Sequence, residues 1–207
     1  SSVSSDQSRA SCDLPIHWTH DLPGPTPAQN TDSMQISTWT QGEDGAIALG
    51  TDTGNVIVLD ALGNSRSTIS VDASVTALSF CGRDLIVGTH SGQVSRFDEV
   101  GSERWRHECH FRPERTFYPY WFLETPSIGA LAAGHDPACA RDLVAAGTGS
   151  TSLNFLDAST GELIQDQLSP YGLPDRIRPH QPANGSALQF LVGHSWLTCG
   201  STVRAWS

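Results

Sequence analysis

One arrangement of residues recurs along the chain and constrains its fold more than any other feature. Gly50-Thr51 is followed by Asp60, Gly88-Thr89 by Asp98 and Gly147-Thr148 by Asp157, each aspartate ten residues after its glycine. A shortened fourth copy is read at Gly200-Ser201, running on to Trp206. A short apolar run precedes each glycine, at residues 46–49, 84–87, 142–146 and 196–199. Such runs suit strands covered on both faces. The Gly/Asp/Ser/Thr residues that follow suit a tight turn, because glycine reaches positive φ at no steric cost. A second strand then ends at the aspartate, before turns at Gly63, Gly101 and Gly161.

Further strand candidates flank each hairpin. Upstream are residues 36–40, 75–80, 128–133 and 187–192; downstream are 65–71, 103–107 and 163–168. The unit is thus four antiparallel strands, the size of one propeller blade. Gly50 to Gly88 is 38 residues (88−50), and the next steps are 59 (147−88) and 53 (200−147). The fold class expected is all-β: a β-propeller of four-stranded antiparallel blades, about four of them in this chain. The blades are placed at 34–72, 73–110, 126–168 and 185–207, within a domain of residues 16–207 behind a flexible segment 1–15. Ile16-His17-Trp18-Thr19-His20 shares Trp-x-His with Trp105-Arg106-His107, so strand 16–21 is expected to complete the last blade. The repeat count fits a closed ring, a fragment of a larger propeller, or two copies sharing one larger ring.

Composition removes several functional classes. All 12 basic residues are arginine, against 22 acidic ones, for a net charge of −10. No basic run offers the cationic footprint that nucleic acid requires. Without lysine there is no Schiff base and no phosphate-loop lysine, and no apolar run reaches the length of a membrane span. No cofactor is expected. The five cysteines are odd in number and widely spaced, which does not make a disulfide framework. His107, Cys109 and His110 lie close together but miss zinc spacing, so no metal site is assigned. Hydrolase motifs are absent, no catalytic residues are assigned, and the recurring aspartates are expected to bind turn amides.

The units resemble those of the WD-repeat and quinoprotein-type (pyrroloquinoline-quinone-like) propeller superfamily. The residues responsible are Gly88-Thr89-His90-Ser91-Gly92-Gln93-Val94 leading to Asp98 and Trp105, and Gly147-Thr148 leading to Leu156-Asp157 and Thr160-Gly161-Glu162-Leu163. The likeness covers roughly residues 16–207 at the level of the repeat. The Gly-His and Trp-Asp dipeptides of WD repeats are missing from these units. The resemblance implies the architecture and leaves the activity open, because propellers host many functions.

Three long segments are read as connections between blades that crowd one rim of the disc: residues 22–33, 110–127 and 169–183. Residues 109–122 hold six aromatics and two arginines in 14 positions, the composition of a recognition hot spot. The candidate binding residues are Arg112, Arg115, Tyr118, Tyr120 and Trp121 from this segment, with Arg176, Arg178 and His180 from the third. The partner expected is a protein or peptide. The alternative is a saccharide, with the aromatics stacking on sugar rings and a His/Arg set handling a uronate carboxylate in a lyase-like reaction.

Overall fold

The computed structural model describes residues 34–109, 126–168, 173–183, 187–196 and 200–206. They form four sheets and no helix. The first contains β1 (Ile36–Gln41), β2 (Ile47–Thr51), β3 (Asn55–Leu59) and β4 (Ser65–Ser70). The second contains β5 (Val75–Cys81), β6 (Asp84–Thr89), β7 (Gln93–Phe97) and β8 (Glu103–Glu108). The third contains β9 (Ile128–Asp136), β10 (Arg141–Thr148), β11 (Ser152–Asp157) and β12 (Leu163–Leu168). The fourth contains β13 (Leu173–His180), β14 (Gln189–Trp196) and β15 (Gly200–Trp206). Neighbours in sequence are neighbours in each sheet, and the pairing is antiparallel throughout.

The repeated residues make the turns. Asp60 Oδ1 accepts hydrogen bonds from the amides of Leu62 and Asn64 at 2.9 and 2.8 Å. Asp98 Oδ1 does the same for Val100 and Ser102, and Asp157 Oδ1 for Ser159 and Thr160. Donors from Asn64 to Asp60, and from Ser159 to Asp157, hold both carboxyls below the ordinary carboxylate range. The aspartates therefore bind turn amides, as the sequence suggests.

At the other end of each hairpin the threonine organises the turn. Thr51 Oγ1 takes the amide of Asn55 at 2.9 Å and meets Thr53 Oγ1 at 3.1 Å. Thr89 repeats this with Gln93 and Ser91, and Thr148 with Ser152 and Ser150. Gly54 and Gly92 hold φ of 82° and 88° in these turns, whereas the third turn places Thr151 there at φ 60°. A β-branched residue is strained in the left-handed region. Thr151→Gly should therefore raise the unfolding free energy by about 1 kcal/mol, read as a higher urea midpoint with unchanged slope.

The sheets stack face to face in chain order. The first strand of each later sheet lies on the sheet before it: β5 on β1 and β2, β9 on β5 and β6, β13 on β9 and β10. Three apolar clusters fill the seams. Val56, Val58 and Ile69 meet Leu78, Leu85 and Val87 between the first and second sheets. Ile86, Val94 and Trp105 meet Ile128, Leu131 and Val144 between the second and third. Ala145 and Leu153 meet Ile177, Phe190 and Val192 between the third and fourth.

One register position sets how closely the sheets approach. A Cβ added to Gly50 would lie 2.5 Å from Val75 Cγ1, one on Gly88 2.7 Å from Ile128 Cγ2, and one on Gly147 2.7 Å from the Pro174 carbonyl oxygen. Each glycine is a socket for a residue at the start of the next sheet's first strand.

The second seam also carries a polar latch. Trp105 Nε1 donates to the Ala158 carbonyl at 2.7 Å. Arg96 donates to the same carbonyl while its Nε bonds Asp84 Oδ2 at 2.8 Å. The indole lies against Gly161, whose added Cβ would be 2.6 Å from the ring.

The fourth sheet departs from the sequence reading in two ways. It begins at Leu173 rather than 185, because residues 173–180, read as loop, form its first strand. Its second strand is β14, where Gly193 pairs with Arg176 and His194 with Pro174. That is the register of Gly147 with Ala130 and of Thr148 with Ile128. The fourth copy of the frame is thus Gly193-His194, not Gly200-Ser201, and the step from Gly147 is 46 (193−147). Residues 1–33, including the proposed closing strand 16–21 and the segment 22–33, lie outside the described residues. No broad packing of the fourth sheet on the first is present among the described residues.

Candidate functional site

Because the strands alternate in direction, the turns after the second strand of each sheet emerge on the same rim as the connections between sheets. These connections differ sharply in length. Four residues (71–74) join β4 to β5 and four (169–172) join β12 to β13, whereas nineteen (109–127) join β8 to β9. The third long connection expected at 169–183 is therefore corrected to a four-residue link followed by a strand. The middle one keeps its length.

Arg112, Arg115, Tyr118, Tyr120 and Trp121 lie outside the described residues. Arg176, Arg178 and His180 sit on β13, not on a loop. Arg176 pairs with Gly193 and Arg178 with Leu191, so both occupy the face of the fourth sheet turned away from the third. Ile177, between them, faces the third sheet and is buried. Both arginines are exposed. His180 pairs with Gln189 at the far end of β13. The strand is eight residues long, so His180 stands roughly 23 Å from its start and near the opposite rim. The structure thus separates His180 from the rim where the middle connection leaves β8.

Elsewhere the ionisable groups serve turns and seams. Asp136 accepts the amides of Ala138 at 3.0 Å and Leu188 at 3.2 Å, and its Oδ2 meets Cys139 Sγ at 3.2 Å. The Ala138 amide is the leading reason its carboxyl lies below the usual range. Burial raises the Cys81 thiol and pushes that of Cys109 up to about 12, so neither is a nucleophile at neutral pH. Among the described residues, no three His, Cys, Asp or Glu side chains converge to hold a metal.

Sequence reasoning passed over Ile36 and Trp39. Both are exposed apolar side chains on β1, 49% and 66% accessible. The matching residues of the other sheets are apolar and buried, so register alone gives no sign that these two are exposed.

No protein-family model matches the chain, and no curated protein matches it. Solved structures do. The computationally designed Ika4 protein is 20% identical over 83% of this chain and 90% of its own, with a TM-score of 0.61. A structure of the mitotic checkpoint complex is 14% identical, covering 84% of this chain and 50% of that one, with a TM-score of 0.65. BBS1N in complex with ARL6DN is 12% identical over 83% of this chain and 51% of that one, with a TM-score of 0.60. The chain spans about half the length of the last two, which are β-propeller or WD40-type folds. The sheets, their order and these likenesses agree: the chain is built as a β-propeller of antiparallel blades, three of them four-stranded and the fourth three-stranded among the described residues.

Proposed function

We propose that the chain is a non-enzymatic binding module that recognises a protein or peptide through the rim where the connection 109–127 emerges. One observation carries the reading. The residues that recur, and that repetition would nominate for chemistry, are consumed in holding their own turns, as the Asp60 and Thr51 geometries illustrate. What departs from the repeat is one connection of nineteen residues where its counterparts have four. Its aromatic and arginine content is that of an interface core. BBS1N, one structural neighbour, is solved in complex with ARL6DN, which supports a protein partner by analogy of fold alone. The same frame supports kinship with the quinoprotein-type repeat.

The test is selection of peptides from a displayed library on the whole chain, followed by affinity measurement against Arg115→Ala/Trp121→Ala. Loss of a hot-spot pair should weaken selected peptides at least about tenfold, or 1.4 kcal/mol, with the melting temperature unchanged. A matching fall in melting temperature would instead make these aromatics a structural plug. Binding of polygalacturonate in place of any peptide would favour the saccharide reading.

A further inference from the structure

Among the described residues the four sheets leave two unmatched ends, and the ends complement each other. In each seam, two residues of a sheet's first strand press against the preceding sheet. They are Val75 and Leu78 in the second sheet, Ile128 and Leu131 in the third, and Pro174 and Ile177 in the fourth, all buried. Their register equivalents in the first sheet are Ile36, opposite Thr51, and Trp39, next to the position opposite Gly50. A bulge at the residue between puts both on one face, as it does in the other sheets. These two are left 49% and 66% accessible. They are knobs with no sheet packed broadly in front of them among the described residues.

The fourth sheet shows the opposite. Gly193 occupies the register of Gly50, Gly88 and Gly147. In those three the nearest atoms include a residue at the start of the following sheet, 2.5–2.8 Å from a built Cβ. Around Gly193 the three nearest belong to Arg176 and Asp175 of its own sheet. Val203 pairs with Gly193 as Val56, Val94 and Leu153 pair with the other glycines, so the backbone register of a seam continues there. Among the described residues, the fourth sheet is a socket with no knob.

We propose that the occupant of each end is a second copy of this chain. Ile36 and Trp39 of one copy seat on the fourth sheet of the other at Gly193, and reciprocally, making two further seams and a ring of eight sheets. Continuity with the three existing seams argues for this. Closure within one chain would bury Ile36 and Trp39, which are exposed. Eight sheets fall within the range of propeller rings, and a two-fold pair satisfies both ends of both chains. Arg176 and Arg178, on the outward face of β13, then line the new seam. The proposal does not depend on the peptide-binding reading.

Cross-linking tests it directly. In the existing seams a built glycine Cβ stands 2.8–3.0 Å from the Cβ of its knob, within easy adjustment of the roughly 3.5–4.5 Å a disulfide requires. Two differently tagged chains, Ile36→Cys and Gly193→Cys, are mixed and oxidised. A disulfide joining the two tags only in the mixture is expected, and its absence overturns the proposal. The Ile36→Cys/Gly193→Cys double variant adds a second arm: a disulfide within one chain would mean a self-closed ring and would also overturn it. In solution the unmodified chain should weigh twice its 22.2 kDa, and Ile36→Asp should halve that with circular dichroism intact. A larger or open-ended assembly would contradict an eight-sheet ring.

Discussion

Trp105→Ala is expected to cost about 3–5 kcal/mol of unfolding free energy, the range for removing a large buried aromatic. Trp105 is 8% accessible and lies in the seam between the second and third sheets. Its loss opens a cavity over Gly161, and the Ala158 carbonyl keeps only Arg96 as side-chain donor. Trp105→Phe restores most of the apolar volume without the donor, so it should recover more than half of the loss. Urea titration of both variants gives the ordering. A Trp105→Ala cost under about 1 kcal/mol would mean the ring is not the wedge that holds the seam.

Gly147→Val should be nearly as damaging, at about 3 kcal/mol, toward the top of the usual range for overpacking. The added Cβ would stand 2.7 Å from the Pro174 carbonyl oxygen and 2.8 Å from Pro174 Cβ and Cγ. A backbone carbonyl and a closed pyrrolidine ring have no rotamer by which to move aside. Relief must come from shifting β13 as a whole off β10. Alanine at the same site meets the same first atoms and should cost somewhat less, since its bulk ends at Cβ. Thermal melts of Gly147→Ala and Gly147→Val would show the two-step decline.

The architecture was legible because the hairpin frame carries its own physics. Asp60, Asp98 and Asp157 bind turn amides, Thr51, Thr89 and Thr148 knit the opposite turns, and both leave fixed marks at fixed spacing. The fourth sheet was misread where those marks change. His194 stands where the other sheets have threonine, and its hairpin continues pairing past Gly193 and Val203 out to Trp196 and Gly200, so the ten-residue spacing is lost. Residues 173–180 read as loop because Pro174, Pro179 and three charged residues hide a strand. Such a strand is permitted because β13 has one hydrogen-bonded neighbour among the described residues, and proline is tolerated along an edge. The same misreading put His180, at the far end of β13, among residues of the rim where the connection 109–127 leaves β8. The exposed pair Ile36 and Trp39 was invisible to pattern alone, since an apolar strand reads identically whether or not a sheet lies in front of it.

Sheets that touch only their predecessor and successor have the energetics of a linear array, in which each member's stability is its own plus that of its boundaries. Among the described residues the first and fourth members each have a single boundary, and the middle two have a pair. Damage at either extremity therefore propagates inward by one step at a time, and fraying starts there. Joining the extremities would abolish the distinction between terminal and internal members, turning a stack that can peel into a loop that must break.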